Sequence, residues 1–186
     1  MVSFIKRALN YVKKFIYTKQ IFFIYKKCND VIIELPAEVK QVDKSNLQDA
    51  LSFNDEAYMK IFNDFIDQGD KGYYAYLNGE CVHRSWVKRG PKEILLTKGY
   101  SRFFSENDVY IHYCATAEKA RGKNIYPYIL SHICNELQNQ NVYVLVLEKK
   151  LTARRGVEKA GFQKVKRVLI RRVFGFTRIE ENVLNH

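Results

Sequence analysis

The stretch Tyr110-Ile-His-Tyr-Cys-Ala-Thr-Ala-Glu-Lys-Ala-Arg-Gly-Lys-Asn-Ile-Tyr126 brings together several residue types able to do chemistry. An apolar, β-branched run leads into a short loop of Arg121, Gly122, Lys123 and Asn124. A helical pattern then begins, with Pro127 in its first turn, where early N–H groups have no internal partner anyway. Such a loop offers free backbone N–H groups at the positive end of a helix dipole, and phosphate oxygens bind at sites of this kind. Arg121 and Lys123 add charge. On the strand before the loop, Tyr110 and His112 share one face, because side chains alternate with period two. His112 is a candidate proton acceptor, its ordinary pKa being about 6.5. His83, next to Arg84 and Trp86 on an earlier strand, is a second. Either histidine serves equally well as a structural or substrate-binding group. Cys114 has no activating partner in the sequence and reads as a buried strand thiol.

These residues need elements to hold them. Ile5, Leu9, Val12 and Ile16 recur at helical spacing in a basic segment, residues 1–27, and Ile21 to Tyr25 reads as a strand. Asp30 to Leu35 reads as a second strand, and Ser45–Phe53 and Asp55–Asp67 as helices, the latter stopped by Gly69. Gly72–Leu77 and Glu80–Val87 flank Asn78-Gly79, a hairpin signal. Ile94–Thr97 and Val109–Thr116 come next as strands. A helix then carries Ile125, Ile129, Ile133 and Leu137 on one stripe. Val142–Leu147 is a continuous apolar run suited to a strand buried on both faces. Thr152–Ala160 is a helix stopped by Gly161, and Phe162–Phe174 closes as one or two strands. A strand–helix–strand unit from Val109 to Leu147 requires a parallel pair with a right-handed crossover. The expectation is one α/β (or α+β) domain over residues 1–186. Its central mixed sheet is mostly antiparallel and flanked by helices.

The 186 residues are 47% hydrophobic, enough for a core, and carry a formal net charge of +11. That charge favours anionic ligands over cationic ones. The four cysteines, Cys28, Cys81, Cys114 and Cys134, lie far apart, without metal-ligand spacing. They read as free thiols of a reducing, cytoplasmic setting, and no metal is expected. No apolar run is long enough to span a bilayer.

Two motifs resemble those of the GNAT superfamily of N-acyltransferases. Arg121-Gly-Lys-Asn-Ile-Tyr126 is similar to its pyrophosphate loop, Arg/Gln-x-x-Gly-x-Gly/Ala. Val157-Glu-Lys-Ala-Gly161-Phe162 is similar to its C-terminal helix ending, Tyr-Glu-Lys-x-Gly-Phe. The resemblance covers roughly residues 108–165 and implies the GNAT fold, with acyl-coenzyme A as co-substrate. Coenzyme A would then lie over Arg121, Gly122, Lys123, Asn124, Ile125 and Tyr126. The Cys114-Ala115-Thr116 backbone would flank its pantetheine arm, and one N–H there would hold the thioester oxygen. Asn124 and Tyr126 depart from the small residues usual at their positions. Val157 replaces a tyrosine that often protonates the leaving thiolate. Tyr110 occupies the register near which other members carry a catalytic carboxylate.

The stretch Cys81-Val-His-Arg-Ser-Trp-Val87, together with the loop, resembles members that acylate nucleotide-linked amino sugars for bacterial surface polysaccharides. That likeness implies a dTDP-linked 3-amino-3,6-dideoxyhexose as acceptor. It places His83, Arg84, Trp86, Tyr110 and Arg102 at the acceptor, and His112, His83 and Tyr110 at the chemistry. Arg84, Lys88, Arg89 and Arg102 would pair the diphosphate, and Trp86, Tyr100, Phe103 and Phe104 would stack on the base. Acetylation of a protein amine, a polyamine or an antibiotic is the second reading, and a basic membrane-surface or nucleic-acid-binding module the third. The leading reading involves no nucleic acid, and a homo-oligomer is expected.

Overall fold

The computed structural model describes residues 17–184. The helix expected from Ile5 to Ile16 lies outside that range. In chain order the strands are β1 (Tyr17–Lys27), β2 (Glu38–Gln41), β3 (Lys71–Leu77), β4 (Glu80–Arg89), β5 (Lys92–Thr97), β6 (Tyr100–Phe104), β7 (Asp108–Thr116), β8 (Asn141–Leu147), β9 (Phe162–Val173) and β10 (Phe176–Val183). The helices are α1 (Ala57–Asp67), α2 (Ile125–Glu136) and α3 (Leu151–Lys159). Eight strands form one sheet in the order β10-β9-β1-β8-β7-β4-β3-β2, and β5 and β6 form a separate hairpin. Among the described residues only β7 and β8 pair in parallel, joined by α2 as the strand–helix–strand pattern requires. The sheet is mixed and mostly antiparallel, as expected.

Local chemistry explains the joints. Asn78 and Gly79 have φ of 52° and 80°, the left-handed pair that a two-residue hairpin turn needs. Phe174 and Gly175 (47° and 84°) make the same kind of turn between β9 and β10. A phenylalanine there gives no sequence signal, and β10 was not anticipated. Nor were β2 and β6.

Two expectations need correction. Asp30–Leu35 is not a strand. Cys28 and Asn29 N–H donate to the Gly161 carbonyl (3.1 and 3.0 Å), and Ser131 Oγ donates to the Val31 carbonyl, so this backbone is tied to a loop and to α2 instead of a ladder. Ser45–Phe53 forms only a short 3₁₀ helix, Leu47–Ser52.

Three cores arise from strand alternation. Ile125, Ile129, Leu130 and Ile133 of α2 and Val157 of α3 pack on Tyr73, Ala75, Val109, Ile111 and Val144. On the opposite face, Phe62 of α1 packs on Tyr74, Tyr76 and Trp86. On that same face the β5–β6 hairpin covers Tyr110, Tyr143, Val168 and Ile170 with Ile94, Tyr100 and Phe104. The sheet thus separates an α2–α3 side from an α1–hairpin side.

Candidate functional site

β7 and β8 are paired only from Asp108–Asn141 to Ile111–Val144. Beyond that point both strands continue but part. They leave a cleft of about 850 Å³ between His112–Thr116, Leu145–Leu147, the 120–127 loop and the near side of α3. The cause lies in β7. Trp86 pairs with His112 but Arg84 with Ala115, so β7 carries one extra residue, a bulge. Tyr113 sits there at φ 54°.

Arg121, Gly122, Asn124, Ile125 and Tyr126 of the expected phosphate loop line this cleft, and Lys123 does not. Asn124 takes φ 58°, ψ 17°, the left-handed conformation for which glycine is usual and asparagine is tolerated. Lys159 Nζ donates to its Oδ1 at 2.9 Å, tying the loop to the end of α3. Gly122 (φ 79°) opens on empty space, leaving room for a ligand oxygen. Arg121 is exposed, with only a loose ion pair to Glu118 at 3.4 Å. Tyr126 does not block the loop. Its ring stacks on His83 (centroids 5.6 Å apart) and lies against Gly156, where a Cβ would come within 2.9 Å of Tyr126 Cδ1. Its hydroxyl reaches the Cys114 thiol.

The two histidines line the cleft from opposite faces of the sheet. His83 pairs with Thr116 on the α2–α3 side. Its Nδ1 is 2.7 Å from Thr116 Oγ1 and its Nε2 2.9 Å from Ser85 Oγ. Full burial, with Arg84 adding positive charge nearby, pushes its pKa down to about 3, so it stays neutral. His83, His112 and Tyr110 thus all line the cleft, but His83 reaches it from the opposite face of the sheet. An extra residue, Val82, interrupts the β3–β4 register, and the β7 bulge lies between His83's partner Thr116 and His112.

His112 lies on the α1–hairpin side, edge-on to Phe65 and stacked on Tyr110. Its Nε2 is 3.1 Å from Oδ2 of Asp70, which also takes a 3.1 Å contact from Lys88 Nζ. Burial lowers the His112 pKa and Asp70 partly restores it. With Nε2–H donating to Asp70, Nδ1 carries the lone pair. Tyr110, buried, donates weakly to the Leu96 carbonyl at 3.4 Å, and burial raises its pKa.

Arg84 is 5% exposed, under the rings of Tyr58, Phe62 and Tyr113. Its Nε donates to Asn54 Oδ1 at 3.0 Å, and its Nη1 donates to the Tyr113 carbonyl. Because the peptide is planar and trans, fixing that carbonyl turns the Cys114 N–H the opposite way. Arg84 is thus committed inside the protein and does not face a diphosphate. Trp86 is fully buried against Phe62 and Phe65 and cannot stack on a base. Tyr100 and Phe104 are buried too. Arg102 stacks on Tyr143, near Asp108 at the closed end of the β7–β8 pair, away from the cleft.

Solved structures share this architecture. A GNAT-family acetyltransferase from Colwellia psychrerythraea superposes with a TM-score of 0.64 at 11% identity, over 85% of this chain and 57% of its own. A second, from Novosphingobium aromaticivorans, gives 0.59 at 9%, over 82% and 63%. A glucosamine N-acetyltransferase region of a fungal multidomain β-N-acetylglucosaminidase gives 0.59 at 12%, over 87% and 22%. The fold is the GNAT fold. The chain spans only about 57–63% of the length of the first two of these structures. No protein-family model matches the sequence. No curated protein matches it either.

Within the GNAT fold, the helix position where a tyrosine is frequent holds Val157, fully buried in the core. Asp70 and Gly156 were not singled out in the sequence. Asp70 comes just after Gly69 at a helix end, which reads as an ordinary turn. Gly156 lies inside α3, where a glycine only lowers helix propensity. Among the described residues, no helix is long and apolar enough to cross a membrane. All four cysteines are free.

Proposed function

We propose that the chain is an N-acyltransferase that moves an acyl group from coenzyme A to an amine. The observation that carries this reading is the parted β7–β8 pair, with a left-handed phosphate loop at its mouth. The cleft fits a pantetheine arm reaching between the strands, and the loop fits its pyrophosphate. The Cys114 N–H, turned by the Arg84-held carbonyl, would take the thioester oxygen as it gains charge. The amine would approach from the α1–hairpin side, where His112 accepts its proton and Asp70 holds the imidazole. A C–N bond forms, the C–S bond breaks, and the thiolate leaves toward Tyr126 and Cys114. Burial raises the pKa of both Tyr126 and Cys114, so both stay protonated at neutral pH.

The acceptor we propose is a nucleotide-linked amino sugar. Lys88 and Lys92 both lie close enough to His112 to act on its charge, which favours an anionic acceptor over a polycation. One structural neighbour is named as a glucosamine N-acetyltransferase and another as an aminoglycoside 6′-N-acetyltransferase, so amino-sugar acylation is compatible with this fold. The test is coenzyme A release with a panel of acyl thioesters and amines. Nucleotide-linked amino sugars should be turned over faster than lysine peptides or polyamines. The reverse order overturns the acceptor. Calorimetry tests the donor: Arg121→Glu should weaken acyl-coenzyme A binding by roughly tenfold or more, having exchanged a favourable charge for a repulsive one. Unchanged affinity overturns the phosphate loop.

A further inference from the structure

The two edges of the sheet are unlike. β2 is short, Glu38–Gln41, and carries Lys40 in its middle, features that discourage another strand from pairing. β10 is longer, Phe176–Val183, with neither proline nor lysine, and Phe176 (83%) and Val183 (69%) are exposed beside Ile179 (39%). Pairing with β9 runs without a bulge from Phe176–Val173 to Val183–Lys166, and the Leu184 N–H continues it to the Val165 carbonyl. Ladder bonds alternate in an antiparallel pair. The even-numbered residues of β10 therefore face β9, and the N–H and C=O groups of Thr177, Ile179, Glu181 and Val183 face outward.

We infer that β10 is an interaction edge for a second copy of this chain, pairing antiparallel with its own β10 about a twofold axis at Ile179. The charges choose the register. A twofold axis normal to a sheet sets opposite one another only residues of the same face, whose numbers differ by an even amount. Centred on Arg178 or on Glu180, the pairing opposes two like charges, and centred on Glu181 it does the same. Centred on Thr177, it reaches only from Phe176 to Arg178. Centred on Ile179, it runs from Phe176 to Asn182. It then sets Arg178 against Glu180 of the other copy twice and Ile179 against itself, with Ile179 exchanging both of its outward hydrogen bonds. Arg178 is mostly exposed, with only a 3.3 Å contact to Glu180 of its own strand. This inference is independent of the proposed reaction.

Sedimentation of the full chain over a concentration series tests it. The protein should run at twice the 21.9 kDa chain mass. Ile179→Pro should run at the single mass while keeping its thermal transition, because the N–H it removes faces away from β9. Arg178→Glu, which leaves the backbone intact, should do the same. A nitroxide placed by Ile179→Cys in a Cys28→Ser background should lie nearer its twin than one placed by Val39→Cys on the opposite edge. A wild-type monomer, a dimer unaffected by both variants, or equal label distances would overturn the inference.

Discussion

His83 and His112 sit on neighbouring strands of one sheet, both largely enclosed, and differ in what surrounds them. His83 is held between two hydroxyls, with the Arg84 charge close by and no carboxylate among its contacts. Nothing repays the cost of charging it. His112 has Asp70 on Nε2, so a carboxylate stands ready to stabilise the imidazolium. Both rings border the cleft. Burial lowers both pKa values, and the neighbouring groups set each ring's role. One ring is a neutral spacer in a hydroxyl network, and the other can take and return a proton.

The largest expected effect is on His112. In His112→Asn, turnover should fall by about 10²–10⁴-fold with both substrates still bound. The loss should shrink at high pH, where the amine is already free. A full-rate variant would leave water or backbone as the base and dissolve the contrast. Asp70→Asn should cost less, about a hundredfold or below, because it releases the ring's orientation without removing it. The sign of its pH effect is sharper evidence. Asp70 raises the His112 pKa against the lowering by burial, so its removal should move the acid limb of the pH–rate profile to lower pH. A limb that stays put assigns that titration to another group.

His83→Asn should leave turnover within about twofold and lower stability by about 1–3 kcal/mol, since the buried Ser85 hydroxyl and the half-buried Thr116 hydroxyl lose their partner. Wild-type stability should fall as pH drops from 6.5 toward 3, the window in which the unfolded chain binds a proton that folded His83 refuses. Part of that slope should vanish in the variant, as read by urea titration at several pH values. The smallest effect on chemistry is expected at Val157. Val157→Ala should cost about 1–2 kcal/mol for a lost buried side chain and keep its turnover. A collapse of turnover in the folded variant would mean that this helix position serves the leaving group after all.

Much of the fold around this candidate site was legible in the sequence, at the scale on which sequence patterns act. The 3.6-residue stripe of α2, the apolar run of β8 and the Arg121–Tyr126 loop are local signals, and they placed the parallel unit and the loop at its open end. Alternation within β7 put Tyr110 and His112 on one face, as found. It could not relate His83 to them, because that relation crosses strands and passes the bulge, which no local pattern announces. Trp86 and Arg84 read as ligand-facing because aromatics and cations do bind nucleotides, yet α1 covers both. The Asp70 contact joins a helix end to a strand far away in sequence, and only tertiary packing creates it. β10 hides behind a Phe174-Gly175 turn with an atypical first residue.

Tyr113 bears on how such a site can arise. Restore β7 to a regular strand by removing that one residue, and His112, Cys114, Ala115 and Thr116 each stay on the face they occupy now, since the β4 partners on either side differ in register by a single step. The parting of the strands, the carbonyl turned toward Arg84 and the N–H turned the other way then all trace to one added residue. An ordinary antiparallel ladder is thus a single inserted codon away from this cleft geometry, and a deletion variant lacking Tyr113 would retrace that step with every other side chain left on its face.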